Sequence, residues 1–167
     1  IYRYFGDKEA MLFWFIEHWV SGLNPDAIAA LDSPGSVEDK LRECLSVHLR
    51  FYEENPRVGR ILFLTVPLKR WMSDPTFHNA DLSRALVRVM AEGQASGELR
   101  KDVSVVALLD AFSAMFNRTF LMWEYRNRKY RLPDQLEPIF AILWRGVAAE
   151  RKAARGKRAS RADVAAE

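Results

Sequence analysis

Ile1–Leu12, IYRYFGDKEAML, sets Tyr2, Tyr4 and Phe5 directly ahead of a helix start, with Asp7 as its cap and Lys8 in its first turn. An apolar pattern of helical period follows through Met11, Leu12 and the ring-rich run beyond them, to about Ser21. Tyrosine hydroxyls and a lysine gathered at a helix N-terminus fit two arrangements. One is an aromatic cap on a helical core with a solvated lysine; the other is a clamp on phosphate, since the positive end of a helix favours anions.

Outward from that stretch, apolar positions recur at three and four residues and no strand-like alternation persists, which predicts an all-α chain. Gly22 and Asn24-Pro25 read as stop signals for the first helix. Ser36 with Asp39 has the form of a capping box, opening a helix from Val37 to about Glu54 that ends before Asn55-Pro56. A third helix covers roughly Arg57 to Met72, where Pro67 is expected to produce a kink or an end near Val66. Asp74-Pro75 opens a fourth, which runs to Ser96 and stops at Gly97. Asp102 or Ser104 starts a long helix reaching about Asn127, and a sixth begins near Pro133, blurred by Pro138, and fades after Ala149. No internal repeat is visible.

With 167 residues, 49% hydrophobic and 28% charged, the chain has the size and composition of one globular domain. The single cysteine, Cys44, excludes an internal disulfide framework and suits a reducing cytoplasm. Uninterrupted apolar runs such as Met11–Ile16 are too short to span a bilayer, so no membrane partner is expected. The net charge of +3 is unevenly placed. Residues 151–167 hold six basic and two acidic residues of the 25 and 22 in the chain, which leaves 19 and 20 in residues 1–150. A near-neutral body lacks the electrostatic footprint of a nucleic-acid-binding surface. The tail reads as a basic, disordered segment that either solubilises the chain, the favoured reading, or adds non-specific attraction to phosphate.

The order Tyr2, Tyr4, Phe5, Lys8 and Leu12 resembles the signature that closes the DNA-binding domain of tetracycline-repressor (TetR) family regulators. The six expected helices are similar in number and order to helices four to nine of that family. Gly97-Glu98-Leu99-Arg100, followed by Asp102-Val103, is similar to the loop before its eighth helix. The resemblance covers about residues 1–150 and is most specific in the first twelve. It implies three parts: residues 1–8 as the end of a helix-turn-helix most of which precedes Ile1, residues 9–150 as a ligand-binding and dimerisation domain, and the tail 151–167. By resemblance, Tyr2, Tyr4 and Lys8 contact DNA phosphates and hold the recognition helix in register. The family more often has His where Tyr4 stands.

The helix from Ser104 to Asn127 carries two apolar stripes. Val105, Leu109, Phe112, Phe116, Phe120 and Trp123 form one; Leu108, Ala111, Met115 and Met122 form the other. A helix apolar on two faces needs cover on two sides. The last helix repeats the pattern with Ile139, Phe140, Leu143, Trp144 and Val147. Both helices could lie centrally in one bundle, or both could meet a symmetry copy. The resemblance implies the second, a four-helix homodimer interface including Met115, Met122, Phe140, Leu143, Trp144 and Val147.

Large rings spread over several helices suit a cavity for an apolar or aromatic ligand, though each alone is compatible with ordinary core. The candidates are Trp14, Phe51, Tyr52, Phe63, Trp71, Phe77, Phe112, Phe116 and Phe120, with His48 and Asn117 as polar groups on or beside apolar stripes. A buried polar group left without a partner costs a few kcal/mol, roughly, so each needs a protein partner or a ligand.

No catalytic residues and no metal site are expected. His18, His48 and His78 follow no metal-ligand spacing, and Cys44 with His48 supplies only two ligands on one helix face. There is no glycine-rich phosphate loop and no nucleophile elbow. The resulting expectation is a TetR-type transcriptional regulator of the cytoplasm, by default a repressor. It needs no cofactor; its partners are an operator DNA, a small apolar effector and a second copy of itself. The Gly22 to Gly35 connection and Pro67 are its expected mobile elements. The competing expectations are a helical carrier or sensor of apolar molecules that never binds DNA, and a bundle enzyme.

Overall fold

The structure, a computed structural model, describes residues 8–65 and 80–150. Seven α-helices lie in these segments: α1 Lys8–Val20, α2 Leu23–Asp32, α3 Val37–Glu54, α4 Pro56–Arg60, α5 Ala80–Ser96, α6 Val105–Tyr125 and α7 Leu136–Val147. A π-helical turn, Ile61–Thr65, continues α4, and a 3₁₀ turn, Leu132–Gln135, leads into α7. No strand forms among the described residues. A lone antiparallel bridge joins Leu99 to Ala148, flanked by Arg100 N–H donating to Val147 O and Ala149 N–H to Glu98 O. The all-α expectation holds.

Helix α2 corrects the sequence reading, which took Gly22 to Gly35 as a mobile connection and counted six helices. Leu23, Ala27, Ala30 and Leu31 are buried at helical spacing against α3. Pro25 lies in the first turn, where the missing N–H has no helical acceptor to lose and the fixed φ suits the helix. Gly22 does end α1, but the chain re-enters a helix at once.

Helix α3 is the central element and packs against α2, α5, α6 and α7. Its start is the expected capping box: Ser36 Oγ accepts the Asp39 N–H at 3.1 Å, and Asp39 Oδ2 accepts the Ser36 N–H at 3.4 Å. A second cap comes from far along the chain, where Glu98 Oε2 accepts the Val37 N–H at 2.9 Å. The buried stripe of α3 is Leu41, Cys44, Leu45, Leu49 and Tyr52.

Helix α5 ends as expected at Gly97, whose φ of +85° closes the helix with its N–H on Gly93 O. Ser104 caps α6 by accepting the Ala107 N–H at 3.1 Å, and Leu108, Phe112, Phe116, Phe120 and Trp123 form its buried stripe. Each fully buried Phe stabilises the fold by roughly 1.5–3 kcal/mol. By length and composition α6 could cross a bilayer. Its apolar content is explained by packing on α3, α5, α7 and the π turn, and its other face carries Asp110 and Arg118. Pro138 falls in the first turn of α7, the place where a helix tolerates it. The start of the helix expected at Asp74-Pro75 and the Pro67 position lie outside the described residues, as does the tail from Arg151.

Candidate ligand-recognition cluster

Three helices bring rings to one place. Tyr52 of α3 stands 5.2 Å from Phe116 and 5.6 Å from Phe120 of α6, centroid to centroid. Phe63, on the π turn, lies 5.4 Å from Tyr52, 5.7 Å from Phe116 and 5.5 Å from Phe120. Phe51 meets Tyr52 edge-on at 5.1 Å, and the His48 ring meets Phe116 edge-on at 5.3 Å. Such tilted and edge-to-face pairs add about 0.5–1.5 kcal/mol each beyond burial. Helical period places Cys44, His48 and Tyr52 one turn apart on the same face of α3, so the ring of Tyr52 and the imidazole share Phe116 as a neighbour.

Among the described residues of the cluster, His48 and Tyr52 carry the polar groups. His48 Nδ1 lies 2.7 Å from the Cys44 carbonyl oxygen. A carbonyl accepts only, so Nδ1 carries the proton and Nε2 is left with a lone pair. Burial lowers the His48 pKa, and the Cys44 carbonyl bond opposes that only in part, so the ring is neutral. Burial likewise pushes the Tyr52 phenol up and keeps it an O–H donor. The Cys44 thiol, 3.9 Å from His48 Nδ1, is pushed up to about 12 by burial, then by the Glu43 charge. A thiol held protonated is a poor metal ligand. No group of three or more His, Cys, Asp or Glu with metal-binding placement exists among the described residues.

Of the candidate ligand residues, His48, Phe51, Tyr52, Phe63, Phe116 and Phe120 therefore come together. Phe112 shares the α6 stripe but lies toward the far end of α3. There it faces Leu41, Met90, Leu108 and Val147 around a void of about 10 Å³, below the size of a ligand. Trp14 is not brought to the cluster: it is 48% exposed on α1, stacked on His18 with centroids 5.6 Å apart. Asn117 is partly buried, off the buried stripe of α6. Trp71, Phe77, Tyr2 and Tyr4 lie outside the described residues, and so does the Lys8 side chain, although Lys8 opens α1 as expected. Phe51 also borders an open cleft of about 230 Å³ between α2 and α3, with Leu23, Asp26, Val47, Arg50 and Glu54.

The expected dimer residues divide. Phe140, Leu143 and Val147 are buried inside a single chain, where α7 packs on α3 and α6, so they do not form a face open to a second copy. Hydrophobic spacing identified the inward stripe of α7, and that stripe is covered by its own bundle. Met115, Met122 and Trp144 are partly buried at its edge. Outward apolar residues of α6 and α7 include Val106 and Ile142, each 63% exposed, and Tyr125 at the end of α6, with exposed Ala111, Ala114 and Ala141.

Sequence reasoning missed the framing of the cluster. Gly59 of α4 lies under the Phe120 ring, and Glu124 of α6 is reached by Arg60 at 3.8 Å and by Arg128 at 2.8 Å. The only advance signal was a glycine inside a helical pattern.

No protein-family profile matches the sequence, and no curated protein does. Solved structures match in fold. The transcriptional regulator FadR from Bacillus subtilis, determined in complex with stearoyl-CoA, aligns with a TM-score of 0.74 at 18% identity, covering 87% of this chain and 79% of that one. The fatty acid degradation regulator FadR from Bacillus halodurans aligns with a TM-score of 0.70 at 16% identity, with the same coverage of 87% and 79%. A TetR/AcrR-family regulator from Thermobifida fusca aligns at 0.61 with 24% identity, covering 87% of this chain and 77% of that chain. At these identities the likeness is one of architecture, and the chain has the all-α fold of the TetR/AcrR-type transcriptional regulators.

Proposed function

We propose that this chain is the effector-binding and dimerisation part of a TetR-family transcriptional regulator, a DNA-binding repressor of the cytoplasm without catalytic activity. The observation that carries the reading is the fold likeness to FadR of Bacillus subtilis over 87% of the chain. The order of Tyr2, Tyr4, Phe5 and Lys8 ahead of α1 supports it independently. In this reading residues 1–8 end a helix-turn-helix, and Tyr2, Tyr4 and Lys8 hold operator phosphates. A small apolar or aromatic effector enters at the cluster of Tyr52, Phe63, Phe116 and Phe120.

The route from effector to DNA runs through α4. Helix α1 packs on α4, and the π turn that continues α4 carries Phe63 into the cluster. A ligand that displaces Phe63 shifts α4, and with it the helix on which the reading head is mounted. Two such heads, set one DNA turn apart by a homodimer formed through the outward faces of α6 and α7, lose their spacing. For nearly complete release the effector must favour the DNA-incompetent state by about 10⁴.

The test is selection of genomic duplexes by the full-length protein, followed by anisotropy titration of the enriched sequence. Specific binding with a steep salt dependence is the expected result. A full-length protein that retains no duplex above background overturns the reading and leaves a carrier or sensor of apolar molecules.

A further inference from the structure

Residues 126–131, RNRKYR, join α6 to the turn that leads into α7 and hold four basic residues and no acidic one. The loop is tied down at both ends. Asn127 N–H donates to Glu124 O and Arg128 N–H to Trp123 O, each at 2.9 Å, while Trp123 Nε1 donates to Tyr130 O at 2.7 Å and Leu132 N–H to Glu53 Oε1 at 2.8 Å. The carboxylates that meet the loop lie beneath it, and the cations lie outside. Glu124, with its side chain 11% exposed, takes Arg128 at 2.8 Å. Glu53, 24% exposed, meets Arg131 at 3.7 Å, and the Arg131 side chain is itself 73% exposed. Arg126 donates to the uncharged phenol of Tyr130 at 3.4 Å, and Lys129 is exposed. A long surface ion pair holds its guanidinium weakly, so Arg126, Lys129 and Arg131 present positive charge to solvent. No other stretch of the chain brings an acidic surplus against them: residues 1–7 hold Arg3 and Asp7, residues 66–79 hold Lys69, Arg70 and Asp74, and residues 151–167 are basic.

This loop and α1 belong to the same end of the bundle. The start of α2 and the end of α3 share the cleft of Leu23, Asp26, Phe51 and Glu54, so α1 arrives where α3 finishes. Helix α4 follows there, packs on α1 and sets Arg60 beside Glu124 at the end of α6. Leu12 of α1 packs against the core, and Lys8, one turn earlier, stands only about 6 Å farther along the helix. We propose that the loop 126–131 is a second DNA-contact surface, on which Arg126, Lys129 and Arg131 bind backbone phosphates of the duplex held by the reading head. The inference rests on the DNA-binding reading above and adds a contact to it. A near-neutral bundle is no obstacle, because salt confines each charge to roughly 10 Å and the local surplus is what a passing phosphate meets. Contacts of this kind add affinity and orientation without reading sequence.

The experiment is anisotropy titration of the full-length protein with its enriched duplex, from about 50 to about 200 mM salt. Each phosphate neutralised contributes about 0.9 to the slope of log affinity against log salt. The triple variant Arg126→Gln, Lys129→Gln, Arg131→Gln should therefore flatten the slope by about 2–3, with the same fold loss on a scrambled duplex. Lys129→Gln alone should flatten it by about 1, and Lys129→Arg should keep the wild-type value. Lys101→Gln, in the loop at the opposite end of α6, removes an equal charge and should leave the slope unchanged. Helicity by circular dichroism accompanies each variant, and if the triple variant does not fold, Lys129→Gln decides. Equal slopes for the wild type and Lys129→Gln overturn the loop contact and leave the regulator reading standing. An equal loss from Lys101→Gln overturns it too, as a net-charge effect. Variants that keep the duplex slope but lose retention on phosphatidylglycerol vesicles assign the loop to a membrane surface instead. A wild-type protein that binds no duplex removes both readings.

Discussion

The Phe120 ring lies directly over Gly59, so close that a β-carbon on Gly59 would sit 2.3 Å from its Cζ. The contact locks the start of the π turn against α6 at the base of the aromatic cluster. In an ordinary helix interior alanine is more stable than glycine by up to about 1 kcal/mol. Here the sign reverses. Gly59→Ala should destabilise the fold by about 1–3 kcal/mol, as overpacking does, measured by urea unfolding. A neutral or stabilising result means α4 is free to move off Phe120.

The start of α3 is capped from two directions, and the two caps are separable. Ser36→Ala removes the side-chain acceptor for the Asp39 N–H and should cost about 1 kcal/mol. Glu98→Ala removes the distant acceptor of the Val37 N–H and should cost about 1–2 kcal/mol, with Glu98→Gln retaining part of it. Because both act on one helix end, a double variant should deviate from additivity.

Acidity reads the same cap. Hydrogen bonds from Ser36 hold the Asp39 carboxyl below its ordinary range. A carboxylate with a depressed folded-state pKa adds stability above its unfolded pKa and loses it as pH falls through the folded value. Stability should therefore fall as pH drops below about 4, and Ser36→Ala should flatten that part of the profile, followed by thermal midpoint against pH.

His48 gives a second pH signature, at higher pH. Its folded-state pKa is lowered by burial. The unfolded chain then takes up a proton first as pH falls, so stability is fully present above the usual histidine value near 6.5 and declines from there toward the folded pKa. His48→Phe should remove this slope. A wild-type His48 that titrates at or above its usual value by NMR contradicts a neutral imidazole on the cluster wall.

The outward residues of α6 and α7 test association. Ile142 is 63% exposed, with Pro138, Ile139 and Gly146 as small or apolar neighbours on α7 and Arg145 beside it. If the proposed homodimer forms there, Ile142→Asp should convert it to monomer in sedimentation velocity with unchanged helicity. Persistence of the dimer places the interface elsewhere.

What the sequence revealed and what it hid divide by distance along the chain. The Ser36–Asp39 box, the Gly97 stop and the Ser104 cap are local devices, written within four residues, and each was legible. Helix α2 was missed because Asn24-Pro25 was weighed as a breaker, although proline is at home in a first turn and Leu23, Ala27 and Leu31 were already at helical spacing. The stripe Phe140, Leu143 and Val147 was found, but periodicity says only that a face is covered, not by whose atoms. The rings of the candidate cluster were legible as types; their meeting depends on α3, α4 and α6 converging. The Glu98–Val37 and Glu53–Leu132 bonds span 61 and 79 residues and leave no local trace.

The lone sulfhydryl has a consequence for the chemistry of the folded chain. Cys44 is fully enclosed, protonated and one turn from the imidazole whose orientation its carbonyl fixes. Peroxide and electrophiles act on exposed thiolates, so the Cys44 thiol offers them no handle while the chain stays folded. In the regulator proposed above, a response to oxidants through Cys44 would first require this part of the bundle to open.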